Sequence, residues 1–197
     1  VAEPSQGSLA GGAHGPSADW LADARRLPSP HCDERPQGTR IELAVIHCIS
    51  LPPGATGTAD IEALFAGRLD CGRHPAFAAL RGLRVSSHLL VARSGALLQF
   101  VPFGRRAWHA GRSSWRGREA CNDFSVGIEL EGCEFAPFTP AQYEGLALAL
   151  RALRQRLPIV AACGHSDIAP GRKRDPGPYF DWARVSIGCA GLQVPEA

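Results

Sequence analysis

Methionine is absent from the 197 residues, position 1 included, and tyrosine occurs only twice. Charge of one sign is also lacking: 21 Lys and Arg against 19 Asp and Glu leave a net +2, with the basic residues scattered. That balance gives no support to a nucleic-acid partner, which a basic face would attract. No apolar run approaches the roughly 20 residues that a membrane-spanning helix requires. The first residues, VAEPSQGSLA, lack the basic start and hydrophobic stretch of a secretory signal, so export is not expected. Disulfide pairing is not signalled either. Seven cysteines, an odd number at irregular spacing, fit reduced thiols and a cytoplasmic setting.

What is present is the composition of one globular domain, 45% hydrophobic and 20% charged. Residues 1–18 are small and polar without periodicity and read as a flexible tail, residues 19–187 as the domain, and 188–197 as a C-terminal tail. Trp20–Arg26 reads as a short amphipathic helical turn, ended by Pro28 and Pro30. Ile41–Ile46 is an apolar strand that delivers His47 into a Pro/Gly-rich loop, and Thr58 caps a short helix from Ala59 to Phe65. Arg93-Ser94-Gly95 separates two strand-like runs, a hairpin signal. Ser125–Glu131 is a strand, and Thr139 with Gln142 forms a capping box before a long helix to Arg156. Ile159–Ala162 and Phe180–Val185 read as a short strand and a last helix. Interleaved strands, hairpins and helices predict an α/β fold, one mixed sheet with helices packed on it.

Three side chains stand where chemistry is expected. His47 and His165 each follow an apolar strand, and Asp175 lies ten positions after His165. Two imidazoles and a carboxylate are the ligand set of many catalytic zinc sites, which keep a fourth position open. On composition alone that pattern is weak. In Ser125–Glu131 the apolar Val126, Ile128 and Leu130 alternate with Glu129 and Glu131, so one face enters the core and the other offers Glu129 to a cleft.

The segment Val45–Gly54 (VIHCISLPPG) resembles the first metal motif of the AmpD-type N-acetylmuramoyl-L-alanine amidases. So do Leu83–His88 (LRVSSH), Arg106–Gly111 (RAWHAG), Cys121–Gly132 (CNDFSVGIELEG), Gly164–Pro170 (GHSDIAP) and Asp175–Pro178 (DPGP), in order along the chain. The resemblance implies one zinc ion held by His47, His165 and Asp175, with Glu129 as acid/base carboxylate and Lys173 stabilising an oxyanion. It implies Arg84, Ala107, Trp108, His109 and Arg118 as substrate contacts. It also implies a mixed sheet flanked by helices, as in peptidoglycan recognition proteins. The implied reaction is hydrolysis of the amide between 1,6-anhydro-N-acetylmuramic acid and L-alanine in recycled muropeptides, which lowers an inducer of β-lactamase. The expected enzyme is a cytoplasmic monomer with no membrane or nucleic-acid partner. Its rivals are an exported amidase acting on intact wall and a non-catalytic peptidoglycan-binding module.

Blander roles are expected for neighbouring residues. His88 reads as a hydrogen-bonded core histidine, Glu131 as a surface or salt-bridging residue, and His14, His31 and His74 as exposed. Trp115 and Trp182 read as packing residues. Cys48 points away from His47, and a thiolate from Cys163 would close the fourth position that hydrolysis needs. Cys48 and Ala120 stand where many relatives carry Asn and Arg, which leaves Arg84 and Arg118 to meet the carboxylates of the substrate.

Overall fold

The computed structural model describes residues 19–195, so the expected 1–18 tail lies outside the described residues. In chain order the elements are β1 (Ala24–Arg26), β2 (Cys32–Glu34), β3 (Leu43–Ile49), α1 (Ala59–Phe65), a 3-10 turn (Pro75–Leu80), β4 (Leu89–Val91) and β5 (Leu97–Gln99). There follow β6 (Arg105–Ala107), β7 (Ser114–Trp115), β8 (Arg118–Glu119), a 3-10 turn (Cys121–Asp123) and β9 (Ser125–Glu131). The chain closes with α2 (Pro140–Arg154), β10 (Ala161–Gly164), α3 (His165–Ile168) and α4 (Trp182–Gly188).

Six strands form one mixed sheet in the order β1-β5-β4-β9-β3-β10, in which every neighbouring pair is parallel except the antiparallel β4–β5 hairpin. Alternation divides its two faces. Ala44, Ile46, Val126, Ile128 and Leu130 point to α2 and α4, where Leu146, Ala149, Leu150 and Leu153 form the helix stripe. Helix α2 starts where the sequence places it, because Thr139 and Gln142 cap each other and Pro140 sits at the first helical position. On the opposite face, Ile61, Leu64 and Phe65 of α1 cover Leu90 and Leu98. Ile168 of α3 covers Leu43, Val45 and Cys163. Between those two covers the middle of the sheet is left open, and the functional residues lie there.

Several boundaries differ from the sequence reading. Trp20–Arg26 is not helical: Ala24–Arg26 pairs in parallel with Leu97–Gln99, a partner more than 70 residues away that no local pattern announces. Strand β3 runs three residues beyond Ile46, so His47 lies inside it rather than at its exit. Strand β10 and helix α4 each begin two residues later than expected. Thr58 does not cap α1 with its side chain; its hydroxyl donates to Glu62 Oε1 at 2.7 Å. Residues after 187 are also more than an appendage: Cys189 and Leu192 are buried in the main core, and Gln193 bridges to Ala161.

Candidate metal centre

The register of the parallel strands assembles the centre. His47 lies opposite Glu129, and Ile46 opposite Gly164, so His165 follows directly in the same row. Adjacent strands lie about 4.8 Å apart, and residues in register project to one face. Three residues separated by 82 and 36 positions in the sequence therefore stand side by side. Asp175 is brought in by the loop after α3, whose backbone carbonyl accepts from Ser166 N at 3.0 Å.

Nδ1 of His47 is 2.9 Å from Nδ1 of His165, and both are 3.1 Å from Oδ2 of Asp175. Two imidazole nitrogens and a carboxylate oxygen thus converge on one point. Both histidines are almost fully buried. Their outer nitrogens are engaged elsewhere, His165 Nε2 at 3.0 Å from the Ala110 carbonyl and His47 Nε2 at 2.9 Å from His109 Nδ1. Bare lone pairs facing each other at such distances repel unless a cation lies between them. The donor set is that of a three-ligand zinc site, and its spacing suits a small divalent cation. Burial pulls the His47 pKa down to about 4, against the opposing pull of Asp175. The Asp175 carboxyl is held well below its usual range: burial pushes it up, and the two histidines outweigh that.

Glu129 is 9% exposed, and its Oε2 has no hydrogen-bond partner among the described residues. Burial raises its pKa well above the ordinary carboxylate value; Asp175 adds to that rise and Lys173 opposes it. A buried, unpartnered carboxylate oxygen beside a cation site is poised to receive a proton.

A cavity of about 310 Å³ joins these groups, lined by His47, His165, Asp175, Glu129, Lys173, Trp108 and His109, with Leu64, Phe65, Leu80, Leu83 and Val85 as its apolar wall. A larger one, about 460 Å³, is lined by Gly111, Arg112, Ala120 and Arg172 and contains none of the three converging ligands. Trp108 is tethered by its indole N–H to Asp33 Oδ1 at 3.1 Å and stacks on His31. Arg84 is exposed in an adjoining cavity that shares Leu64, Leu80 and Leu83.

Two expected contacts are not brought to this cavity. Ala107 is fully buried in β6 within an apolar cluster. Arg118 is committed to Glu42 Oε1 at 2.8 Å and lies over the Phe124 ring. Glu131 is not a surface residue: it is 3% exposed, with Oε1 accepting from Gly57 N at 2.5 Å and Oε2 from Arg93 N at 2.8 Å. It fastens the loop after β3 to the β4–β5 hairpin. His31 is half-buried, with Nδ1 3.0 Å from the Val85 carbonyl, rather than exposed. His88 is the core histidine expected, its Nδ1 accepting from Gly127 N at 3.0 Å.

Sequence reasoning missed Arg35, a half-buried hub whose guanidinium donates to the carbonyls of Phe103, Asn122, Asp123 and Ser125. It ties the approach to β9 to the loop before β6. One arginine among 21 basic residues carries no local signal of such a role.

Residues 37–178 match the family model described as N-acetylmuramoyl-L-alanine amidase. The 1,6-anhydro-N-acetylmuramyl-L-alanine amidase AmpD of Citrobacter freundii is 56% identical over 167 residues, covering 84% of this chain and 89% of that protein. A crystal structure of a selenomethionine AmpD derivative superposes with a TM-score of 0.85 at 54% identity, over 87% of this chain and 97% of that one. The amidase AmiD of E. coli, solved in complex with anhydro-N-acetylmuramic acid-L-Ala-D-γ-Glu-L-Lys, superposes with a TM-score of 0.56 at 32% identity. That match covers 83% of this chain and 63% of AmiD.

Proposed function

This chain belongs to the N-acetylmuramoyl-L-alanine amidase family, and on that premise we propose that it hydrolyses the amide between 1,6-anhydro-N-acetylmuramic acid and the L-alanine of a muropeptide. The observation that carries this reading is the row of His47, Glu129 and His165 across three adjacent strands, closed by Asp175 at 3.1 Å from both histidine Nδ1 atoms. We assign zinc to His47, His165 and Asp175, a donor set that suits it. Zinc bound there supplies a Lewis acid and makes water a nucleophile near neutral pH.

The rest is done by the chain. Glu129 accepts a proton from the attacking water and is placed to pass it to the leaving amine. Lys173, exposed on the cavity rim, lends positive charge to the oxyanion. Trp108 offers an indole face to the sugar, and Arg84 a guanidinium to the peptide carboxylates. We take residues 19–187 to hold the catalytic site, with Cys189 and Leu192 completing the core, and the enzyme as a monomer. Seven free cysteines support a cytoplasmic location. No helix among the described residues is long and apolar enough to cross a membrane.

The test is incubation of purified protein with a defined anhydromuropeptide and, separately, with intact peptidoglycan, each with and without a chelator. Mass spectrometry should find peptide freed from the anhydromuropeptide at the higher rate, with chelation abolishing release. Release from intact wall alone, or release indifferent to chelation, would overturn the assignment.

A further inference from the structure

His109 and Ala110 sit behind the two histidine ligands, and their contacts decide which nitrogens those ligands present. The chain of bonds begins at the Cys121 carbonyl, which can only accept; Ser125 Oγ lies 2.5 Å from it and spends its single proton there. The Ser125 oxygen is then free to accept from His109 Nε2, at 3.2 Å. A neutral imidazole carries one N–H, so His109 Nδ1 is bare and accepts from His47 Nε2 at 2.9 Å. His47 Nδ1 is thereby left without a proton, facing His165 and Asp175. The next residue acts likewise on the other ligand, the Ala110 carbonyl accepting from His165 Nε2 at 3.0 Å and leaving His165 Nδ1 bare.

The dipeptide is itself held in place. Asn122 Oδ1 accepts from both of its amides, His109 N at 3.1 Å and Ala110 N at 2.8 Å. Arg172 donates to the Ala110 carbonyl at 2.7 Å, using its second lone pair. The His109 ring also lies flat against β9 at Gly127, where an added Cβ would fall 2.5 Å from its Cγ and 2.7 Å from its Nδ1. The glycine is thus the space in which the ring sits.

We propose that His109–Ala110, anchored by Asn122 and Ser125, is a positioning device that fixes both histidines as Nδ1 ligands before any metal arrives. His109 is therefore a positioning residue more than a wall for substrate. The inference rests on the metal assignment above, and its readouts are chosen to fail separately from it.

The experiment combines nitrogen-15 NMR of the histidine side chains in chelated protein with zinc affinity measured by competition against a chromophoric chelator. Wild type should show His47 as the Nε2–H tautomer without metal. His109→Leu should leave His47 in mixed tautomers and weaken zinc by about 10–100-fold, the usual scale for losing such a partner. His109→Asn, which returns an acceptor oxygen at the δ position, should recover most of that affinity. If His109→Leu does not fold, Ser125→Ala removes only the anchoring hydroxyl and should loosen the His47 tautomer with a smaller loss of affinity. A wild-type His47 carrying its proton on Nδ1, or a His109→Asn no better than His109→Leu, overturns the proposal. A wild-type protein with the expected tautomer but no affinity for zinc would overturn the metal assignment alone.

Discussion

Glu129→Gln should keep its metal and its substrate affinity and still turn over at least about 10²-fold more slowly than wild type, within the range of about 10²–10⁴ that a general base contributes. The substitution nearly preserves shape, so the cavity remains, but an amide cannot take a proton at neutral pH. The environment makes the carboxylate a strong base: it is buried, its Oε2 is unpartnered among the described residues, and Asp175 stands near. A cation bound at the neighbouring ligands would keep it ionised. Glu131, two residues along the same strand face, provides the contrast. Its oxygens hold the amides of Gly57 and Arg93, so Glu131→Gln sets an NH₂ against a donor and should cost about 1–3 kcal/mol of stability. The first variant should fail in single-turnover kinetics at an unchanged melting temperature, the second in the melting temperature. A Glu129→Gln enzyme of normal turnover would remove this residue from the mechanism.

Acid should unfold the chelated protein steeply. His47, His88 and His109 are buried, and burial lowers the proton affinity of each, His47 to about 4 and the other two well below 6.5. The sign follows from the unfolded chain, whose imidazoles protonate near pH 6.5. Between there and the folded-state values the unfolded state holds up to three more protons, and stability falls as pH falls. Glu129 runs the other way, because its raised pKa lets the folded state take up a proton first. Three imidazoles outweigh one carboxyl, so the slope keeps its sign and is on the order of a few kcal/mol per pH unit below pH 6.5, a large part of the stability of many domains. Denaturant midpoints at pH 8, 7, 6 and 5 would measure this, and a flat profile from 7 to 5 would contradict it.

How legible these features were depends on the range of the interaction. Strand β9 and helix α2 were readable because the alternation of Val126, Ile128 and Leu130 and the Thr139–Gln142 capping box are local. Ala24–Arg26 was misread because its ladder partner, β5, is remote, while Leu21 and Ala24, both buried, are spaced as on a helix. The converging trio could be named through a family resemblance, whereas composition offered only one of many such sets. His109 was expected as a substrate contact and does line the cavity, but its bond to His47, 62 positions away, has no local signal. Glu131 looked like a surface residue because alternation tells which face a residue takes but not whether that face is covered.

The pairing of β3 with β10 also governs when the centre can exist. His165 and Asp175 are ten positions apart, but His47 meets His165 across 118. A nascent or denatured chain can thus offer a metal no more than a fragment of the site. Parallel strands joined over such spans close late and slowly, because loop entropy must be overcome before any contact forms. Zinc bound as proposed would then come last in folding, preferring the finished sheet to its precursors. Free zinc at 1,000 times its dissociation constant would add about 4 kcal/mol to the folded state without altering a single side-chain contact in the apolar core.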